Sequence, residues 1–261
     1  MPSKSSRLFV ALATIAVAGA TVLGASAASA ATAGARPAAR HFSAAGEYEA
    51  SVPAAHMSSH LVITETPDLR NAGTFEFTDI GDYGDWIMQG RTIAMQIASS
   101  ESGHAGIVLV GKVTHDGITG WVGIPNYGQI TWSATRDDAP TGADARLAKA
   151  VAKANAQQPP SNAAGTYAAQ FPEGPTFSDT LVLRNDRYST RDGSFSLTGL
   201  GDSGYWVQMG RHVVLGISQG SDAGVVMLGT RTTSGFNSAE KTGHYIQPGS
   251  GIYNWYAAKQ S

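Results

Sequence analysis

The sequence contains an internal repeat, because a segment of its first half recurs at an offset of 120 residues. In the best-matched stretch, Gly81-Asp82-Tyr83-Gly84-Asp85-Trp86 aligns with Gly201-Asp202-Ser203-Gly204-Tyr205-Trp206, and Gly90-Arg91 aligns with Gly210-Arg211. Other matches keep the same order, with small shifts: Gly46-x-Tyr48 with Gly165-x-Tyr167, Gly73-x-Phe75 with Gly193-x-Phe195, and Trp132-x-Ala134 with Trp255-x-Ala257. Such self-similarity indicates duplication of one structural unit. The sequence therefore predicts two homologous domains, at residues 44–136 and 164–261.

Within each unit, apolar residues alternate with polar or small ones, which is typical of half-buried β-strands. In the first unit these runs predict eight strands, near 46–52, 60–66, 73–79, 85–90, 91–99, 105–115, 118–123 and 129–136. Short sequential hairpins favour an up-and-down meander, and closing the sheet removes edges that invite aggregation. We therefore predict an all-β protein with two tandem eight-stranded up-and-down β-barrels. A two-sheet sandwich is the alternative.

The segment 137–163 separates the two units and is predicted to be a linker. Its alanine-rich part, Ala143 to Ala156, predicts a short helix. The following Gln157-Gln158-Pro159-Pro160 ends that helix and predicts an extended, Pro-rich spacer.

Both units contain the same ordered motifs: G-x-Y, then L-x-I in the first unit or L-x-L in the second, then G-x-F, G-D-x-G-x-W, G-R and W-x-A. This order resembles the small eight-stranded barrels of the avidin and lipocalin (calycin) type. The resemblance covers both units in strand rhythm and strand number. Both units have Gly-x-Tyr in the first strand, where lipocalins have Gly-x-Trp. The resemblance therefore implies a calycin-like fold and no particular site residues.

The first thirty residues have the pattern of a secretory signal peptide. Lys4 and Arg7 precede an apolar run, and Ala28-Ser29-Ala30 fits the small-residue cleavage site. We expect cleavage near Ala30, general secretion to the exterior of a bacterial cell and no membrane anchor afterwards. Residues 31–43, rich in alanine, are expected to be a disordered lead-in.

Composition excludes several functions. The chain has no cysteine, so it forms no disulfide and uses no thiolate chemistry. Residues 44–136 carry 10 acidic and 4 basic side chains, and residues 164–261 carry 7 of each. Neither unit has the basic surplus that binds phosphate backbones, so nucleic acid is not an expected partner.

Three short motifs suggest chemistry, and each has a simpler interpretation. Gly201-Asp202-Ser203-Gly204 matches the string around a serine-protease nucleophile, but the first unit has Tyr83 at the serine position, which indicates a turn residue. His56 and His60 have a zinc-like spacing, but on a strand this spacing separates the rings by about 13 Å. Asp79, Asp82 and Asp85 are interpreted as a solvated acidic turn. We therefore predict no catalytic residue, metal or cofactor.

The duplicated motif is predicted to be structural. Its glycines and aspartates, at Gly81, Asp82 and Gly84 and again at Gly201, Asp202 and Gly204, are typical of a tight hairpin turn. Arg91 and Arg211 are predicted to pair with Asp82 and Asp202 and to fix that hairpin, and contact with an anion is the alternative. Trp86 and Trp206 follow the turn and are predicted to pack in the barrel.

Aromatic residues are the best candidates for binding. They mostly pack a barrel core, but some can line the mouth of a cavity and stack on a ligand. The candidate ligand-binding residues are Trp132, Trp255, Trp121, Tyr127 and Tyr245.

Two barrels without a duplicated acid, base, nucleophile or metal set favour a secreted, non-enzymatic binding protein. Its partner would be a small molecule, a peptide or another secreted protein. An extracellular protease inhibitor is the first alternative, and a secreted polysaccharide hydrolase is the second. For the hydrolase, no pair of carboxylates is singled out by the sequence.

Overall fold

The computed structural model describes residues 43–156, 162–172, 177–236, 243–247 and 251–260. The predicted signal peptide, nearly all of the predicted lead-in and the Pro-Pro spacer lie outside these ranges. No helix within them is long and apolar enough to cross a bilayer. The chain beyond residue 41 forms one compact unit that contains both repeats.

The first repeat is a closed, antiparallel, eight-stranded barrel in which each strand pairs with the next along the chain. Its strands are β1 Gly46–Val52, β2 Met57–Glu65, β3 Ala72–Phe77, β4 Asp82–Gln89, β5 Thr92–Ser100, β6 Val108–Val113, β7 Gly117–Ile124 and β8 Gly128–Arg136. A 3-10 turn, Pro53–Ala55, joins β1 to β2. Pairing of β1 with β8 closes the ring, with Ala50 opposite Ala134. The predicted up-and-down barrel is confirmed, and each predicted strand overlaps an observed one.

The second repeat forms a nearly closed barrel of the same topology. Its strands are β9 Gly165–Phe171, β10 Phe177–Asn185, β11 Asp192–Leu197, β12 Asp202–Met209, β13 His212–Gln219, β14 Val226–Thr230, β15 Gly235–Phe236, β16 Gly243–Gln247 and β17 Gly251–Lys259. β17 pairs with β9, as β8 pairs with β1, and places Ala257 opposite Ala169. The short strands β15 and β16 both pair with β17, in the position that β7 occupies in the first barrel.

Mirrored tryptophans fill both interiors. All four are fully buried, and each indole N–H donates to a backbone carbonyl: Trp86 to Thr64 (3.0 Å), Trp206 to Arg184 (3.0 Å), Trp132 to Val110 (3.1 Å) and Trp255 to Leu228 (3.3 Å). Tyr48 and Tyr167 are likewise buried and donate to the carbonyls of Ala44 and Ala163. Because a buried polar tip needs a partner, the repeat preserves each ring together with its hydrogen bond.

A third apolar cluster lies between the barrels and joins their outer surfaces. Its buried members are Ala72, Ile87, Ala94, Val108, Val110, Trp121, Tyr205, Val207, Val214, Val226 and Leu228. The contacts are reciprocal: β5 meets its counterpart β13, β4 meets β14, and β6 meets β12. Equivalent patches therefore face each other, as in a dimer with two-fold symmetry.

Gln96 and Gly216 occupy equivalent positions and meet across this interface. Gln96 is fully buried, and its side-chain N–H donates to the carbonyl of Ile217 at 2.7 Å. A Cβ added to Gly216 would come within 2.7 Å of Gln96 Cδ and 2.8 Å of Val108 Cγ2. The amide of one barrel therefore fills space that the glycine of the other barrel leaves open.

The predicted helix is confirmed as α1, Ala143–Ala156, but its first half packs against the first barrel. Leu147 is buried, and it contacts the outside of the barrel at Gly117. Arg146 forms a two-pronged ion pair with Asp116, at 2.5 and 2.8 Å. This helix thus extends the surface of the first barrel.

Candidate functional site

The duplicated Gly-Asp-x-Gly motif begins β4 and is not itself the hairpin turn. Gly81 makes the turn, with φ of 66°, whereas Asp82 is the first residue of β4 and is fully buried. Gly84 lies within the strand, where an added Cβ would overlap the carbonyl oxygen of Gln96. The interpretation of the whole motif as turn chemistry is therefore wrong. Its second glycine instead permits close strand approach.

Asp82 anchors the loop between β5 and β6. One carboxylate oxygen accepts a hydrogen bond from the Ser100 hydroxyl, and the other lies 2.6 Å from His104 Nδ1. The Ser100 oxygen in turn accepts from the backbone N–H of His104 at 2.8 Å. The three residues form a closed polar network at one end of the barrel.

The predicted ion pairs between this aspartate and the duplicated arginine are wrong. Asp82 begins β4, whereas Arg91 follows the opposite end of that strand, so the length of the strand separates them. In the second barrel, the Arg211 guanidinium donates to the carbonyl of Arg231 at 3.2–3.3 Å. The arginines therefore belong to the opposite end of each barrel.

The second barrel has a different network at the same place. Asp202 is also buried, but its carboxylate accepts from the backbone N–H of Asp222, at 3.4 Å. Asp222 is the counterpart of His104, since both precede the repeated Ala-Gly. Burial raises the pKa of Asp202, and the adjacent Asp222 carboxyl raises it further. One copy thus pairs a carboxylate with an imidazole, and the other pairs two carboxyls.

A cavity of about 60 Å³ opens at the end of the first barrel where Asp82 and His104 lie. The other side chains and backbone positions around it are Ala50, Ser51, Val52, Met57, Ser58, Ser59, Phe77, Ile80, Ile97, Ile107, Leu109, Val122, Ile124 and Trp132. Its wall is mostly apolar, and Asp82 and His104 are its titratable residues. A small apolar group therefore fits inside, with the imidazole available to a polar atom beside it.

Larger side chains occupy two corresponding positions of the second barrel. Phe171 is buried at the end of β9, whereas its counterpart Val52 is only partly buried and lines the cavity. Phe236 takes the position of Ile118 and contacts the rings of Tyr167 and Trp255, at centroid distances of 4.7 and 5.9 Å. The second interior is therefore packed with more aromatic volume.

The five predicted ligand-binding aromatics lie in different places. Trp132 lines the cavity, but Trp255 is fully buried in the second core. Trp121 and Tyr127 lie together, in a cleft between the barrels that is described below. Tyr245 lies opposite Met227 and Tyr253 in the sheet of the second barrel. The equivalent position in the first barrel is that of Val122, not that of Trp121. The five residues therefore do not form one site.

The motifs that suggested catalysis have ordinary structural partners. Ser203 is the second residue of β12, so it is not in a turn, and its hydroxyl donates to the amide oxygen of Gln219 at 3.4 Å. The hydroxyl of Ser100 donates to Asp82 and not to His104, which is not the proton path of a Ser-His-Asp triad. Neither serine is arranged as an activated nucleophile.

The acidic and histidine motifs also separate in space. Asp79 accepts the backbone N–H of His60 at 2.8 Å, while Asp82 is buried, so the three aspartates do not form one solvated turn. His56 ends the 3-10 turn and His60 lies within β2. His60 instead approaches two carboxylates, Glu47 and Asp137, with one potential ligand atom of each residue within 4.8 Å of the others. This cluster lies on the outer surface, where such groups are common without an ion.

His104 is the functional candidate that sequence reasoning missed. The repeated Asp82 was visible, but its partner lies in a loop 22 residues away, and the second copy has aspartate there. The available signal was the difference at this position, because the first copy has His104 and the second has Asp222 before the same Ala-Gly.

Comparison with known proteins does not extend the assignment beyond fold class. The chain matches no protein-family model, no curated protein and no solved structure.

Proposed function

We propose that this is a secreted, non-enzymatic binding protein that holds a small apolar group at the open end of its first barrel. The observation that carries the proposal is the apolar cavity beside the Asp82–His104 pair. At about 60 Å³, it is well below the roughly 300–1,000 Å³ of sites for drug-sized ligands. Its occupant would be a branched alkyl side chain of a peptide or the apolar end of a small molecule.

Polar recognition would come from His104. Its Nδ1 is held by Asp82, so Nε2 is the ring atom available to a ligand. The imidazole is partly exposed, whereas the carboxylate is fully buried. Each buried methylene group contributes about 0.8 kcal/mol, so the apolar group alone binds weakly and the rim contact adds specificity.

The test is a titration followed by NMR of 13C-labelled Ile, Leu and Val methyl groups. N-acetyl-leucinamide is the probe and N-acetyl-glycinamide is the control. We expect the leucine probe to shift the methyl signals of Ile97, Leu109 and Val122 saturably, because these side chains line the cavity. The glycine control should leave them unchanged.

A matched pair of variants locates the effect. Val52→Phe fills the cavity with the residue that the second barrel carries at that position, whereas Val62→Phe adds the same ring elsewhere on the neighbouring strand β2. We expect the first variant to abolish the shifts and the second to keep them. Unchanged binding in Val52→Phe, or equal responses to both probes, would refute the proposed site.

Export is proposed from the N-terminal sequence and has its own test. Expression of the full chain in a bacterium with a general secretory pathway should release protein that begins at Ala31 into the periplasm or medium. Retention of the intact chain in the cytoplasm would contradict export without bearing on the cavity.

A further inference from the structure

A second concave site lies between the barrels and belongs to neither one alone. The first barrel contributes Trp121, Tyr127, Gly128 and Gln129, and the second contributes Tyr188, Ser189, Thr190 and Arg191. The cleft encloses about 310 Å³, within the range typical of small-molecule sites. It is separate from the open end of the first barrel and shares no residue with it.

The two loops that form the cleft are fixed to each other by Asp186. Its carboxylate accepts the backbone N–H of Asn126 from the first barrel at 3.2 Å and the hydroxyl of Tyr205 at 3.3 Å. It also accepts the backbone N–H of Tyr188, at 3.0 Å. One charged side chain therefore orders both walls, so a ligand would meet a preformed surface.

Further contacts hold the walls in place. Gln129 reaches across to the second barrel and donates to the carbonyl of Gln208 at 2.6 Å. The backbone N–H of Arg191 donates to the Ser189 hydroxyl at 3.1 Å. Hydrogen bonds therefore hold the wall from the first barrel and the wall from the second barrel.

Two tyrosines remain exposed on these ordered loops. Tyr127 is 80% exposed and Tyr188 is 59% exposed, whereas the mirrored Tyr48 and Tyr167 are buried. The guanidinium of Arg187 lies 4.3 Å from the centre of the Tyr188 ring, which holds that ring in orientation. Exposed rings on loops whose backbone is held by hydrogen bonds are suited to contact with a ligand.

The loop that supplies Tyr188 and Arg191 to the cleft differs in sequence between the two repeats. At the positions of Tyr188 and Arg191, the first repeat has Asp68 and Asn71. The equivalent loop of the first barrel therefore carries no aromatic residue at the position of Tyr188. Trp121 belongs to the buried apolar cluster that joins the barrels, whereas Tyr127 and Tyr188 are not among the members of that cluster.

We propose that this cleft binds a neutral oligosaccharide. A sugar ring has an apolar C–H face, which stacks on an aromatic ring, and a rim of hydroxyl groups, which pairs with amides, hydroxyls and guanidinium groups. The cleft offers both kinds of partner. Two exposed phenol rings and Trp121 supply aromatic surface, and the side chains of Gln129, Ser189, Thr190 and Arg191 supply polar groups. The acidic balance of the first barrel, with 10 acidic and 4 basic residues, disfavours polyanionic ligands.

The test is native affinity electrophoresis of the mature protein in gels that contain soluble β-glucan, xylan, galactomannan or amylose. We expect retardation by at least one polysaccharide, and titration calorimetry with the corresponding trisaccharide should show saturable binding. Tyr127→Ala and Tyr188→Ala should each weaken binding about tenfold, because each removes a stacking ring.

Tyr83→Ala is the matched control, since Tyr83 is 53% exposed but lies on β4, outside the cleft. It should bind as the unaltered protein does. Val52→Phe should also bind normally, which separates this site from the proposed cavity site. Absence of retardation in all four gels, or an equal loss in Tyr83→Ala, would overturn the proposal. A fifth gel, with denatured casein, tests for a polypeptide ligand. Retardation in that gel alone would assign the cleft to a polypeptide and would also overturn the proposal.

Discussion

The ends of the two barrels where Asp82 and Asp202 lie differ although the scaffolds match. In the first barrel, Asp82 pairs with His104 and Val52 leaves space beside them. In the second barrel, the corresponding aspartate meets another carboxyl, and Phe171 is buried at the position of Val52. The mirrored residues therefore maintain the barrel, and the residues that differ define what each end can bind.

The largest expected effect tests the mirrored scaffold. Trp86→Ala and Trp206→Ala each remove a fully buried indole and its hydrogen bond, and each should destabilise the protein by about 3–5 kcal/mol. Chemical denaturation measures this directly. Effects that differ several-fold would show that the two positions do not serve equivalent roles.

The next largest effect tests the contact between the barrels. Gly216→Val places a side chain against Gln96 and Val108, and this overpacking should cost about 1–3 kcal/mol. We also expect one unfolding transition to separate into two as the barrels lose their shared interface. Val62→Phe adds a larger side chain on β2, outside the inter-barrel cluster, and as the control it should keep a single transition. A single transition of unchanged midpoint in Gly216→Val would contradict the interface.

A pH-dependent effect tests Asp85, which lies where the second repeat has Tyr205. Burial raises the pKa of Asp85 to about 6. Because the folded-state pKa lies above the unfolded one, the contribution of Asp85 to stability is most favourable below about pH 4, falls as the pH rises from about 4 to 6 and changes little above that. Asp85→Asn should therefore stabilise the protein by roughly 1–2 kcal/mol at pH 7 and have little effect at pH 3.5. Thermal unfolding at the two pH values measures the difference, and equal effects at both would contradict this account.

The smallest predicted effect contrasts the two buried aspartates. Asp82→Asn weakens the contact with His104 and should destabilise the protein, whereas Asp202→Asn relieves a carboxyl that is buried beside another and should stabilise it at pH 7. Each change should be on the order of 1 kcal/mol. For Asp202, whose pKa is raised, the gain should disappear as the pH falls below the usual carboxyl range. Denaturation at pH 7 and pH 3.5 measures both signs, and the same sign for both variants at pH 7 would refute the contrast.

The barrels could be predicted from the sequence because alternation and repetition are local signals. Phe75 and Phe77, for example, face the core as their spacing indicates, and their rings meet at 5.6 Å. The inter-barrel contact was missed, although β5 is buried on both faces from Thr92 to Ile97. Apolar residues on both faces of a strand indicate that each face is covered, and here the second barrel covers the outer one.

The candidate site could be predicted only in part. Trp132 was identified from its aromatic character, but Asp82 was assigned to a turn because glycine and aspartate commonly form turns. Its burial depends on Ser100 and His104, which come from a loop that the strand pattern does not position. The cleft likewise required Trp121 and Tyr127 to meet a loop from the other repeat. Contacts between segments distant in sequence decide both sites.

Xenon binding followed by 13C-methyl NMR tests the central difference between the barrels most directly, because xenon enters small apolar cavities. We predict that pressurised xenon shifts the methyl signals of Ile97 and Leu109 much more than those of their counterparts Ile217 and Met227. Equal shifts in the two barrels, or larger shifts in the second, would contradict the account that Phe171 and Phe236 take up apolar space which Val52 and Ile118 leave open in the first barrel.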